Sequence, residues 1–160
     1  MLNIAKNLNP KFNNTSKIPS KIKDIIGVIL ENPIKIPNYL GENNSNLKKQ
    51  ISAYNNKKHV AEYQYVDQIN LNKYFEAYNS NKVSWDSTPF SQKKEVFLNA
   101  ADLIENKYYN KMLAYTILGQ NKTIYEAEID AICELVDFIR FNVFYAEKIL
   151  EKQPIQTEAI

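Results

Sequence analysis

Four carboxylates, Glu126, Asp130, Glu134 and Asp137, follow one another at steps of four, four and three. On an α-helix that spacing stacks them along one ridge. Like charges so placed repel by roughly 0.2–0.5 kcal/mol per pair, so the ridge needs compensation. Glu126 falls in the first helical turn, where the helix dipole favours an acid. Glu134 lies mid-helix with no cation four residues to either side. From spacing alone two readings stay open. The ridge is a solvated face on which Arg140 pairs Asp137, or it turns a carboxylate toward a partner or function outside the helix. No His joins the acids, so no metal is assigned to them.

Other reactive side chains are few. His59 is the only histidine and Cys133 the only cysteine. A lone His at the start of a strand reads as a surface residue, and with one His no Ser–His–Asp set is assigned. A single Cys cannot close an intramolecular disulfide and fits a reducing compartment. It reads as a small residue on the side of a helix. The three glycines, Gly27, Gly41 and Gly119, cannot build a glycine-rich phosphate loop.

The element that positions the ridge is a helix expected from about Ile124 to Leu150. Thr123 and Glu126 form a capping box at its start, and Pro154 lies just beyond its end. Gly119 and Asn121 suit left-handed backbone before it. Ile124, Ala127, Ala131, Leu135, Phe138, Ile139, Ala146, Ile149 and Leu150 make its apolar stripe.

The 160 residues suffice for one core and one domain. Their net charge of +2 is too small to imply a nucleic-acid partner, and no apolar run is long enough to span a membrane. The charge is uneven. Residues 1–23 hold five Lys and no acid. Residues 1–20 therefore read as an irregular segment, either targeting-like or a disordered Asn/Lys-rich tail.

A short amphipathic helix over 20–31 comes next, capped by Ser20, with Ile22, Ile25, Ile26, Ile29 and Leu30 as its stripe. IKIPNYLG is extended and GENNSN a turn. Residues 47–66 read as a β-hairpin, with Val60, Glu62, Gln64 and Val66 on one face and Ala61, Tyr63 and Tyr65 on the other. Alone it is marginal and needs a helix or a third strand. Helices are expected over 68–83, 89–105 and 107–118. The first opens at Asp67 or Asn70 and buries Leu71, Tyr74, Phe75 and Tyr78. Trp85 packs the next junction. The second helix is capped by Thr88 with Pro89 at its first position and buries Val96, Phe97, Ala100, Ala101 and Ile104. The third carries Tyr108, Met112, Tyr115 and Ile117 and is closed by Gly119.

LGQNKTIYEAEIDAICELVDFIRFN resembles the corresponding helix of the glutamate-semialdehyde (pyrroline-5-carboxylate) dehydrogenases of the aldehyde dehydrogenase superfamily. VFLNAADLIENKYYNKMLAYTILGQ is similar to the helix pair before it. HVAEYQYVD, a helix and VSWDSTPFSQ match the family's order of elements. The similarity runs from about Ile36 to Ile155 and is most specific between Val96 and Asn142. Asn121 stands where the family usually has Gly, and Lys93 where Arg is usual. The second departure puts one ion pair in doubt.

The resemblance implies a mainly α chain with a β-hairpin, the N-terminal portion of an α/β aldehyde dehydrogenase fold with its NAD-binding domain. Residues 21–160 would precede the dinucleotide-binding sheet and the catalytic domain. The family oxidises L-glutamate γ-semialdehyde to glutamate, using a catalytic Cys and a general-base Glu that lie further along the chain. No catalytic, cofactor-binding or metal residue is therefore expected here, and Cys133 is not the nucleophile. Glu134 matches the family position that lines the substrate entrance and pairs with the substrate's α-amino group. In the complete enzyme the resemblance implies NAD, a small-molecule substrate, a homo-oligomer and a mitochondrial matrix address, with the cytoplasm as the alternative. The competing function is a non-catalytic interaction or structural module that keeps the N-terminal fold.

Overall fold

The computed structural model describes residues 6–38, 47–66 and 68–155. Helix α1 (Ser20–Glu31) buries Ile22, Ile26 and Ile29. Its main partner is α4 (Tyr109–Gln120), which buries Tyr109, Leu113, Ala114, Ile117 and Leu118. Both apolar faces recur at helical spacing, so each helix can give one side to a common core. Val60, Ile124, Ala127 and Ile132 complete that core. Pro19 rather than Ser20 holds the N-cap position of α1, with no side-chain cap bond.

Strands β1 (Ile34–Lys35), β2 (Lys48–Ile51) and β3 (His59–Tyr63) form one sheet in the order β1-β3-β2. The expected hairpin is the antiparallel β2–β3 pair, and β1 adds a parallel strand along the other edge of β3. The extended stretch after α1 thus supplies the third strand that a marginal hairpin needs. The expected alternation of faces does not hold at the start of β3, where Val60 and Ala61 are both buried. Val60 enters the core, whereas Ala61 is flanked by Ile34 on one side and Gln50 on the other. The expected GENNSN turn lies outside the described residues.

The hairpin turn closes the end of α4. Ser52 is fully buried, and its hydroxyl donates to the Leu118 carbonyl at 2.8 Å. The Tyr54 N–H reaches the same oxygen at 3.2 Å, and the Asn55 N–H donates to the Ser52 hydroxyl at 3.1 Å. These bonds satisfy a carbonyl that the last helical turn leaves open. The left-handed residue is Asn121, with φ of 55°; its N–H bonds the Ile117 carbonyl. Gly119 sits inside α4, so Asn and not Gly closes the helix.

Helix α2 (Gln68–Ser87) runs slightly longer than expected, and its expected apolar face is not buried. Leu71, Phe75 and Tyr78 are exposed and Tyr74 is half-buried; Asn70 is the only buried residue among those described in the helix. The expected opening at Asp67 lies outside the described residues. Pro89 is the N-cap of α3 (Phe90–Asp102), while the Thr88 hydroxyl bonds back to the Ser84 carbonyl in α2. Of the expected face of α3, Ala101 is buried, Ala100 and Ile104 are half-buried, and Val96 and Phe97 are exposed. A π-helical turn (Leu103–Lys107) joins α3 to α4.

The expected long helix is present in three parts: α5 (Ile124–Glu128), a π-helical turn (Ile129–Glu134) and α6 (Leu135–Leu150). The Thr123–Glu126 capping box is complete. The π turn places one extra residue in the helix, which rotates α6 by about 100° relative to its place in a plain α-helix. The buried side therefore runs Ile124, Ala127, Glu128, Ile132, Cys133, Val136 and Val143. From Ala131 onward the expected stripe holds only in part: Ala131, Ile139 and Ala146 are half-buried, while Leu135, Phe138, Ile149 and Leu150 are exposed. Helix α6 packs against α3, joined by Lys94–Glu147 at 3.0 Å.

Ser52→Ala should lower stability by about 1–2 kcal/mol, because the Leu118 carbonyl and the Asn55 N–H both lose a partner. A urea midpoint unchanged within error would show that the turn does not hold α4.

Candidate functional site

The four carboxylates of the ridge meet different fates. Glu126 accepts the Thr123 N–H at 2.9 Å and its hydroxyl at 2.8 Å. Those two bonds hold its carboxyl below the usual range. Asp130 pairs with Lys122. Asp137 accepts the Leu8 N–H at 2.8 Å. Arg140 does not pair Asp137. It reaches across to Asp102 at 2.8 Å and Glu105 at 2.6 Å, tying α6 to the end of α3 and to its π turn. Spacing along one helix could not show a partner from another helix.

Glu134 is the remaining acid. It is exposed and has neither a hydrogen bond nor an ion pair among the described residues. It is the last residue of the π turn and lies two positions from Ile132 and from Val136, both fully buried. Two helical positions are about 200° of rotation, so Glu134 points away from the core. Leu135 beside it and Phe138 one turn on are exposed too. Phe138 also lines an open cleft of about 410 Å³ between α3 and α6, together with Trp85, Lys93, Lys94 and Phe97; Glu134 does not line it. Glu134 offers a carboxylate without a partner beside the exposed Leu135 and Phe138, which suits a small organic cation or ammonium group.

A fifth acid, Glu128, carries no signal in the sequence pattern. Its side chain is 1% exposed. Its carboxylate accepts the Lys11 N–H at 2.8 Å, the Phe12 N–H at 2.8 Å and the Tyr109 hydroxyl. Burial, and then the Glu128 carboxylate, hold the Tyr109 phenol well above the usual tyrosine range. Lys11 Nζ lies 4.2 Å from the centre of the Tyr109 ring. The irregular N-terminal segment is thereby held against the helices, and Leu8, Phe12 and Ile18 pack on the core. Glu128 lies two positions from Glu126 and from Asp130, off the ridge, where spacing gives it no mark.

Cys133 is buried. Burial pushes its thiol up to about 11, and the Glu128 and Asp137 carboxylates act in the same direction. A thiol so placed is held in its unreactive, protonated form. His59 is half-buried with Nε2 3.4 Å from Glu62. Lys93 donates to the Asp86 carbonyl at 3.3 Å and lies 5.3 Å from the Trp85 ring centre, with no carboxylate partner among the described residues. Trp85 thus meets the α2–α3 junction through Lys93 and remains 46% exposed.

No group of three or more His, Cys, Asp or Glu among the described residues could hold a metal ion. No described helix is long and apolar enough to cross a membrane. Gly27 and Gly119 sit in helices, and a Cβ on either would meet no atom within 4 Å. Neither forms a close backbone cradle for a phosphate.

The model of the aldehyde dehydrogenase family matches residues 41–159. The chain belongs to the aldehyde dehydrogenase family. Over 111 residues it is 40% identical to human mitochondrial delta-1-pyrroline-5-carboxylate dehydrogenase, covering 69% of this chain and 20% of that protein. The zebrafish (Danio rerio) protein of the same name is 32% identical over 151 residues, covering 92% of this chain and 27% of that one. The structure of the Mycobacterium tuberculosis delta-pyrroline-5-carboxylate dehydrogenase bound with NAD and cobalamin superposes with a TM-score of 0.85 at 30% identity. It covers 99% of this chain, which spans 31% of that one. The fold is accordingly the N-terminal portion of the aldehyde dehydrogenase fold, mainly helical with a three-stranded sheet.

Iodoacetamide should label native Cys133 slowly at pH 8 and quickly once the chain is unfolded. The thiol titrates at about 11 in the fold against an ordinary 9.0, so unfolding releases a proton between those values. Stability from this group is complete below the lower value and is lost as pH rises through the upper one. Rapid labelling of the folded chain at pH 8 would contradict the placement.

Proposed function

We propose that this chain forms the substrate-entrance portion of a dehydrogenase that oxidises L-glutamate γ-semialdehyde to glutamate with NAD in proline catabolism. The observation that carries the proposal is Glu134, the ridge acid left without a partner, on an outward apolar face. The resemblance of its helix to that of the family implies the position that faces the substrate's α-amino group. The similarity to delta-1-pyrroline-5-carboxylate dehydrogenases from several organisms supports the substrate class.

In this reading Glu134 binds and orients. Its carboxylate pairs with the α-ammonium at one end of the semialdehyde, which leaves the aldehyde at the other end free for the reacting groups. A charge-assisted bond to a fixed acid selects aldehydes that carry an amino group over those that do not. Cys133, its neighbour in sequence, takes no part. The nucleophile, the general base and the NAD site lie outside the described residues, so the chain is not catalytic alone. The mitochondrial names of the human and zebrafish relatives support a mitochondrial matrix location. The exposed faces of α2, α3 and α6 support burial against the rest of a longer protein, and we propose a homo-oligomer for the complete enzyme.

In the enzyme extended to family length, Glu134→Ala should lower kcat/KM for glutamate semialdehyde by the equivalent of about 1–3 kcal/mol. Oxidation of an aldehyde of the same length without the amino group should fall much less. The 160-residue chain by itself should form no NADH. Equal losses on the two aldehydes would make Glu134 structural, and NADH formation by the short chain would overturn the assignment of its role.

A further inference from the structure

We infer that the N-terminal segment Leu8–Phe12 is a clamp that fixes the π-helical turn Ile129–Glu134 and so aims Glu134. The clamp has this role only if Glu134 pairs with the substrate's α-ammonium, as proposed for it.

The clamp grips the helix on both sides of the turn. Glu128, the residue immediately before it, is held by the Lys11 and Phe12 N–H groups. Asp137, three residues after its last member, is held by the Leu8 N–H at 2.8 Å. The segment runs antiparallel to the helix, its later residues on Glu128 and its earlier one on Asp137. The Tyr109 hydroxyl holds the same Glu128 carboxylate from α4, and Lys11 covers the Tyr109 ring. The clamp is thus fixed to the core and not only to the helix it grips.

A π turn needs such support because it is rare in isolation and competes with an ordinary α-helical register. Losing the extra residue would rotate Glu134 and α6 by about 100° relative to α5. The α6 side is held to α3 by Arg140 and Lys94. The α5 side is held at Glu128. Glu134 stands between these two fixed ends, and its direction is set by their relative rotation. Glu128 and Asp137 are positioning residues: neither points toward the outward face, and each acts through the turn.

The test uses the enzyme extended to family length and the ratio of kcat/KM for glutamate semialdehyde to that for the same aldehyde without its amino group. Asp137→Ala and Glu128→Gln should each lower this ratio by about tenfold, as for a misplaced binding group. Glu134→Gln should lower it as well, and adding Asp137→Ala to Glu134→Gln should lower it no further. If Glu134→Gln lowers the ratio but Asp137→Ala and Glu128→Gln reduce both aldehydes equally, the segment supports only stability and the clamp is refuted. If Glu134→Gln leaves the ratio unchanged, the proposed role of Glu134 fails and the clamp's role falls with it. Should Glu128→Gln fail to fold, Asp137→Ala decides, since Asp137 is only partly buried and offers the clamp a single bond.

Discussion

A buried carboxylate must be satisfied, and the arrangement of this chain depends on how Glu128 meets that demand. Leaving a charged group of this kind without partners in an apolar surround costs several kcal/mol. No single helix can supply the donors, because the N–H groups of a helix interior are already used. Glu128 takes them from two places, the backbone of the N-terminal segment and the hydroxyl of Tyr109. Each choice has a consequence. The first draws an irregular, basic stretch onto the molecule; the second locks α5 to α4. Burial first, and the Glu128 carboxylate after it, push the Tyr109 phenol and the Cys133 thiol above their usual ranges.

Much of this is legible in the sequence where the signal is local. The Thr123–Glu126 capping box, the isoleucine stripe of α1 and the hairpin all come from neighbours in the chain. The features that are not legible depend on distant partners. Arg140 satisfies two acids thirty-eight and thirty-five positions away. The π turn leaves no periodic mark of its own, yet it moves the apolar stripe from Leu135 and Phe138 to Val136 and Val143. The free acid is visible, because Glu134 lacks a cation at helical spacing. The buried one is not, because nothing near Glu128 in sequence announces three donors from elsewhere.

The apolar side chains of α2 have the same cause. Leu71, Phe75 and Tyr78 have the spacing of a core-facing stripe, yet they are exposed. Spacing reports that a face is made for burial, not which part of a protein buries it. The relatives are several times longer than this chain, which gives such faces somewhere to go. Val96, Phe97 and Phe138 belong to the same group. Among the described residues one core is centred on α1, α4, β3 and α5, and a second set of apolar surfaces stays exposed.

The most direct test of the account is a crystal structure of the enzyme extended to family length with glutamate bound. A Glu134 oxygen is expected about 2.8 Å from the α-ammonium nitrogen, as in a charge-assisted hydrogen bond, with the Ile129–Glu134 turn still π-helical. A glutamate whose ammonium is held by other residues, with Glu134 facing solvent, would contradict it.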